Sequence, residues 1–173
     1  MRLGIFGGTF DPVHFGHLLL AEQCREQCRL DEIWFLPAGI PPHKLAQTIA
    51  SGTARAEMLE LAIAGHDCFR VDRRELKKEH PCYTVETLRE LHDEDPSRVL
   101  CFLMGADSLR DFPTWREPAR ILELATLAVV NRGDAPAPDF EPLRGLWGAD
   151  VADRVQVVPI PGLEISSSDI RRR

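Results

Sequence analysis

Short apolar runs punctuate the chain at 2–6, 32–37, 69–72, 98–104, 126–131 and 155–160. Each has the length of a strand and is bounded by glycine, proline or charge, which predicts β-structure. Between them apolar positions recur at three and four residues, predicting helices over 15–29, 53–64, 84–92, 107–112 and 117–125. Met58, Leu61 and Ala62 fall on one face of the second of these, and Val85, Leu88 and Leu91 on one face of the third. Thr84, followed by Glu86 and Thr87, offers capping chemistry for that third helix. Strands alternating with helices predict an α/β fold on a parallel sheet. The proline-rich stretch 37–42 leaves a strand end, where open α/β sheets place their ligands, whereas 135–138 reads as a solvent loop.

At 173 residues the chain suits one domain over 1–173, and its 44% hydrophobic and 28% charged composition is that of a globular protein. A net charge of −6 with scattered basic residues argues against extended nucleic-acid binding, and the arginines at 171–173 read as a solvated end. No window is apolar for the eighteen or so residues that a membrane span needs. The start of the chain does not resemble a signal peptide, because its short apolar run breaks into Gly7-Gly8. Five cysteines, an odd number without a Cys-x-x-Cys pair, fit the reducing cytoplasm. Cys24 and Cys28, four apart on the first helix, are expected as buried thiols. Nothing in the chain sets an oligomeric state.

The run Gly7-Gly8-Thr9-Phe10-Asp11-Pro12-Val13-His14-Phe15-Gly16-His17 lies between the first strand and the first helix. Glycines let backbone approach a ligand closely, helix N-termini attract anions, and histidines at i and i+3 share a side of the entry turn. The pattern describes a phosphate cradle faced by two imidazoles. Taken singly, Gly-Gly-Thr is a common turn and His-x-x-His is more often structural; with Asp11 the histidines also suggest zinc. Neither a His-Glu-x-x-His helix nor a third ligand at diagnostic spacing accompanies them.

Other clusters follow strands or open helices. Pro41-Pro42-His43-Lys44 presents an ammonium from a stiff loop, or is a solvated turn. Cys82-Tyr83-Thr84 at a helix start offers N–H donors to a carboxylate, or is an ordinary cap. Trp115 and Arg116, in Phe112-Pro113-Thr114-Trp115-Arg116, set an aromatic face beside donors, which suits a carboxylated ring. Gly105 and Asp107 end an apolar strand in the manner of ribose-binding pairs, though such a pair is weak evidence alone. Ile165-Ser166-Ser167-Ser168-Asp169-Ile170-Arg171 reads as a helix entry with hydroxyls and a guanidinium that could bind phosphate.

The first run closely resembles the Gly-x-x-x-Asp-Pro-x-His-x-Gly-His signature of the small-molecule nucleotidyltransferases. Its form Gly-Gly-Thr-Phe-Asp-Pro-Val-His is most similar to that of the bacterial nicotinate mononucleotide adenylyltransferases. Motifs in that family's order extend to Arg171, with Ser168 where the family pattern has threonine. The resemblance implies a Rossmann-like, doubly wound sheet with helices on both faces. It implies transfer of AMP from ATP, with Mg²⁺ carried on the nucleotide, to nicotinate mononucleotide, giving deamido-NAD and pyrophosphate. By resemblance His14 and His17 serve the reacting phosphates, while Gly8, Thr9, Phe10, Ser167 and Arg171 hold the triphosphate. Gly105 and Asp107 would hold the adenosine. Trp115 would stack on the nicotinate ring, the backbone amides of Thr84 and Arg116 would take its carboxylate, and Lys44 would meet the substrate phosphate; no protein-bound metal is implied. Family members usually continue past Ile170-Arg171 into a further helix, which this chain would lack. The competing readings are a related transferase acting on phosphopantetheine or another small phosphate, a nucleotide sensor without turnover, and an RNA-binding module.

Overall fold

The computed structural model describes residues 1–39, 50–133, 136–162 and 165–173. Its strands are β1 (Arg2–Gly8), β2 (Glu32–Pro37), β3 (Phe69–Val71), β4 (Val99–Gly105), β5 (Ala125–Arg132) and β6 (Val155–Ile160). They form one parallel sheet in the order β3-β2-β1-β4-β5-β6. The helices are α1 (Phe15–Gln27), α2 (Gly52–Ala62), α3 (Thr84–Glu94), α4 (Ala106–Asp111), α5 (Pro118–Leu124), α6 (Glu141–Trp147) and α7 (Ser167–Arg172).

The two-residue period of the strands sorts the core onto both faces of the sheet. Leu3, Ile5, Leu100, Phe102 and Met104 pack with Val85, Leu88 and Leu91 of α3 and Ile121 and Leu122 of α5. Phe6, Cys101 and Leu103 point the other way, toward Leu20, Ala21 and Cys24 of α1 and Leu59 of α2. The expected doubly wound α/β architecture, with helices on both faces, is therefore what the chain adopts. The chain leaves β1 toward β2 on one side and later returns to its other side as β4, so β1 marks the reversal of strand order where such sheets bind ligands.

Several local expectations are corrected. The first helix ends at Gln27, because Arg29 adopts φ 52° and the N–H groups of Arg29 and Leu30 turn back onto Glu26 O and Arg25 O. This is a Schellman closure, with arginine in the left-handed position that glycine usually marks. Helix α2 does not bury the face of Met58, Leu61 and Ala62: its buried residues are Arg55, Ala56 and Leu59, and Leu61 is 79% exposed. An arginine at the centre of the buried face hid the true stripe. Tyr83, without a side-chain cap bond, precedes α3, and Thr84 is its first helical residue instead of its cap. Cys24 and Cys28 are buried free thiols, as expected. Helix α6 is not expected from the sequence: it is seven residues long and Gly145 breaks its apolar pattern. Among the described residues, no helix is long and apolar enough to cross a membrane.

Candidate active site

The glycine-rich turn leaves β1 at the point where strand order reverses. Gly8 is required by packing: a Cβ there would lie 2.9 Å from Cζ of Phe10, whose ring covers it. Phe10 is 2% exposed and packs edge-on against Phe6 and His17, with centroids at 5.2 and 5.1 Å. Its φ of 50° is left-handed, a conformation that costs an L-residue about 1–2 kcal/mol and persists only where neighbours over-determine it. The phenyl ring thus anchors the turn, in which Gly8 and Thr9 are partly exposed and Phe10 is buried.

Helix α1 begins directly beyond. His14 is its N-cap, and the His14 backbone N–H donates to Nδ1 of His17 at 3.2 Å. Histidine takes the part that Glu or Gln plays in a capping box. An Nδ1 that accepts carries no hydrogen, so the neutral ring holds its proton on Nε2 and presents Nε2–H as a donor. The two imidazoles stack with centroids 3.8 Å apart and an interplanar angle of 30°.

Helix α7 closes the turn from the far end of the chain. Ser167 Oγ donates to the Pro12 carbonyl at 2.9 Å, and the Arg171 guanidinium donates to the Asp11 carbonyl. The Asp11 carboxylate, buried, lies 3.8 Å from Arg171 and accepts the Ala50 N–H at 3.3 Å. Ser167 and Arg171, expected to hold the triphosphate, are thus placed against the glycine-rich turn, where these bonds make them struts between α7 and the turn's backbone.

On the other side of β1 the sheet opens into a cleft of about 180 Å³, whose lining includes Gly7, Gly8, Glu75, Thr84, Thr87 and Trp115. A wider cleft of about 620 Å³ shares Cys82, Thr84 and Trp115 and continues past Tyr83, Ser108 and Arg116. Trp115 is half-buried, set edge-on against Phe102 at 5.9 Å. The Arg116 guanidinium lies 4.7 Å from the centre of the Tyr83 ring and pairs with Glu86 at 2.9 Å. Its side chain is thereby held at the start of α3. Thr84, Trp115 and Arg116, distant in sequence, thus border one cleft. Gly105 ends β4, where a Cβ would meet nothing within 4 Å, and Asp107 is exposed in the first turn of α4; neither lines these two clefts. Lys44 lies outside the described residues.

Two residues at the site gave no usable sequence signal. Arg55 of α2 is buried against the glycine-rich turn. Glu75, in a 3₁₀ turn over Arg74–Lys77, accepts Thr87 Oγ1 at 2.8 Å inside the smaller cleft. Burial raises the Glu75 carboxyl above its usual 4.5, against the lowering effects of the Thr87 hydroxyl and Lys78. A carboxyl raised in the native state stabilises the fold below its ordinary value and loses that contribution as pH climbs through the folded one. Glu75→Gln keeps an acceptor for Thr87 and cannot ionise, so its melting temperature should gain on the wild type as pH rises from about 4.5 toward neutrality. Melts across that range check it; a constant difference would mean that Thr87 and Lys78 cancel the burial. Burial pushes the Cys82 thiol up to about 11, away from the reactive thiolate form. Among the described residues no three His, Cys, Asp or Glu side chains converge to hold a metal.

The cytidylyltransferase-like family model matches residues 5–173. The "probable nicotinate-nucleotide adenylyltransferase" of Thermomicrobium roseum is 47% identical over 99% of this chain and 79% of its own length. The protein of the same description from Thermus thermophilus is 45% identical over 100% of this chain and 86% of its own. Among solved structures, nicotinic acid mononucleotide adenylyltransferase of Plasmodium falciparum superposes with a TM-score of 0.76, covering 99% of this chain and 82% of that one. At 20% identity it supports the fold alone. A glycine-rich turn carrying paired histidines at the strand-order reversal, on a chain this similar throughout to those relatives, belongs to the nicotinate-nucleotide adenylyltransferase family.

Proposed function

We propose that this chain transfers AMP from ATP to nicotinate mononucleotide, releasing pyrophosphate and forming deamido-NAD. The observation that carries the reading is the shared edge of two subsites. The turn over residues 8–10, with the Nε2–H face of His17, lies on one side of β1, and the cleft of Thr84 and Trp115 lies on the other. The relatives' names support it, and the Plasmodium protein of the same fold is known in complex with APC and with NaAD.

The attacking group is a phosphate oxygen of the mononucleotide, ionised at neutral pH, so the transfer needs no general base and no covalent enzyme intermediate. Its oxygen forms the new bond to the α-phosphorus of ATP as the bond to pyrophosphate breaks. Alignment and neutralisation of charge supply the catalysis. In this reading His17 donates from Nε2 to the α-phosphate, His14 donates beside it, and the backbone of Gly8, Thr9 and Phe10 with Ser167 and Arg171 holds the triphosphate. Gly105 and Asp107 take the adenosine. Trp115 stacks on the pyridine ring, the Thr84 and Arg116 amides take its carboxylate, and Lys44 meets the acceptor phosphate. Mg²⁺ would ride on phosphate oxygens, since the described residues offer it no carboxylate cage. The free thiols suit a reducing compartment, and we place the enzyme in the cytoplasm.

Pyrophosphate release with a panel of acceptors tests this. Nicotinate mononucleotide should be the best acceptor, with the amide mononucleotide at least about tenfold poorer because its NH₂ faces donors. Phosphopantetheine should give no release. Faster turnover with phosphopantetheine, or ATP binding without turnover on any acceptor, overturns it.

A further inference from the structure

Arg55 is the unexpected charge in this fold. It is 1% exposed, on the buried face of α2 beside Ala56 and Leu59. Its guanidinium bonds to backbone carbonyls from separate segments: Nη1 to Thr9 O at 2.7 Å, Nη2 to Ala38 O at 2.7 Å and Nε to Ala50 O at 3.1 Å. Burial pushes the guanidinium toward its neutral form, and the nearby Asp11 carboxylate opposes that. Asp11 in turn accepts the Ala50 N–H, so anion and cation together grip the same residue at the entry to α2. Removing a guanidinium from water is costly before its new bonds return anything. A methionine or leucine would fill this helix face without that cost. What an apolar residue could not do is hold three carbonyls at fixed directions.

The Thr9 carbonyl is the one that bears on chemistry. The Thr9–Phe10 peptide is trans, so its N–H points opposite to its C=O. With the oxygen drawn inward by Nη1, the Phe10 N–H faces away from Arg55, and it has no hydrogen-bond acceptor among the described residues. A cation on the oxygen also polarises the peptide and strengthens its N–H as a donor. Phe10 needs such support, since its left-handed φ of 50° is held by the ring on Gly8 at one end and by this carbonyl at the other.

We propose that Arg55 is a positioning residue for the transfer: through the Thr9 carbonyl it aims and polarises the Phe10 amide that receives the triphosphate of ATP. The inference rests on the adenylyltransferase reading for the identity of the anion. Arg55 touches neither substrate.

The test uses the full chain, with a non-hydrolysable ATP analogue as the binding probe. Arg55→Lys keeps the charge but not the fork, and should weaken the analogue's Kd by about tenfold, the scale of one charge-assisted hydrogen bond. kcat should fall with it, while KM for nicotinate mononucleotide stays within about twofold; a protein merely loosened would lose both substrates together. Arg55→Ala supplemented with millimolar guanidinium should regain part of the lost turnover. In the wild-type protein the Phe10 amide proton should move downfield when the analogue binds, a readout independent of whether any variant folds. An unmoved Phe10 amide, or a folded Arg55→Lys with wild-type affinity for the analogue, overturns the proposal. If the analogue binds and these shifts occur but nicotinate mononucleotide gives no pyrophosphate, the assigned reaction fails while the role of Arg55 stands.

Discussion

His17→Ala lowers kcat by about two orders of magnitude or more, the loss expected when a donor to developing phosphate charge is removed. The argument runs from the ring's tautomer. Because the His14 N–H occupies Nδ1 of His17 at 3.2 Å, the neutral imidazole has its hydrogen on Nε2, aimed away from the helix backbone. The ring is held by the His14 stack at 3.8 Å and by Phe10 edge-on at 5.1 Å, so little reorganisation accompanies the reaction. A pre-set donor of this kind acts on the transition state more than on bound ATP, so KM for ATP should change by less than about fivefold. His17→Gln, which retains an amide donor, should recover part of the loss. Steady-state pyrophosphate release on the three proteins, with melting curves to show that each is folded, decides the matter. Near-normal turnover in His17→Ala would remove His17 from the chemistry.

Legibility in the sequence followed the distance between partners. The glycine-rich turn and its histidines are contiguous, so residue order alone conveys their geometry, and the strand pattern conveyed the layered sheet. Arg55 was hidden for the opposite reason. Its partners are the carbonyls of residues 9, 38 and 50, which no side-chain pattern announces, and its charge made a buried helix face look solvated. The same blindness assigned the buried stripe of α2 to Leu61, which faces solvent. Ser167 and Arg171 were legible as donors at a helix entry, yet their bonds to Pro12 and Asp11 across the fold appear only once α7 is docked. Glu75 gave no signal, because a glutamate among Arg73, Arg74 and Lys77 reads as surface charge until Thr87 and the cleft enclose it.

Gly39→Ala is expected to be the most damaging single methyl group in the acceptor half of the site. A Cβ at residue 39 would sit 2.3 Å from the Glu75 carbonyl oxygen and 3.1 Å from its carbon, so a backbone would have to move. Neither side is free to do so. Residue 38 is tied by its N–H to Gly8 O at 2.8 Å and by its carbonyl to Arg55 at 2.7 Å. The facing turn is tied by Thr87 to Glu75 at 2.8 Å and by Arg74 to Asp72 at 2.6 Å. Overpacking against fixed backbone costs about 1–3 kcal/mol or more. For a chain of this size that corresponds to a fall in Tm of roughly 2–12 °C. If the turn yields first, Glu75, Cys82 and the start of α3 shift away from β1, and the smaller cleft widens where the acceptor is placed. KM for nicotinate mononucleotide should then rise about tenfold, an order-of-magnitude expectation for lost positioning, while affinity for ATP, which the proposed function assigns to the other side of β1, should change little. Melting curves and separate titrations of the two substrates check both halves. A variant that melts with the wild type would mean that the Gly39–Glu75 approach is looser in solution than 2.3 Å implies, and the close seam between β2 and the Glu75 turn would no longer explain why glycine stands there.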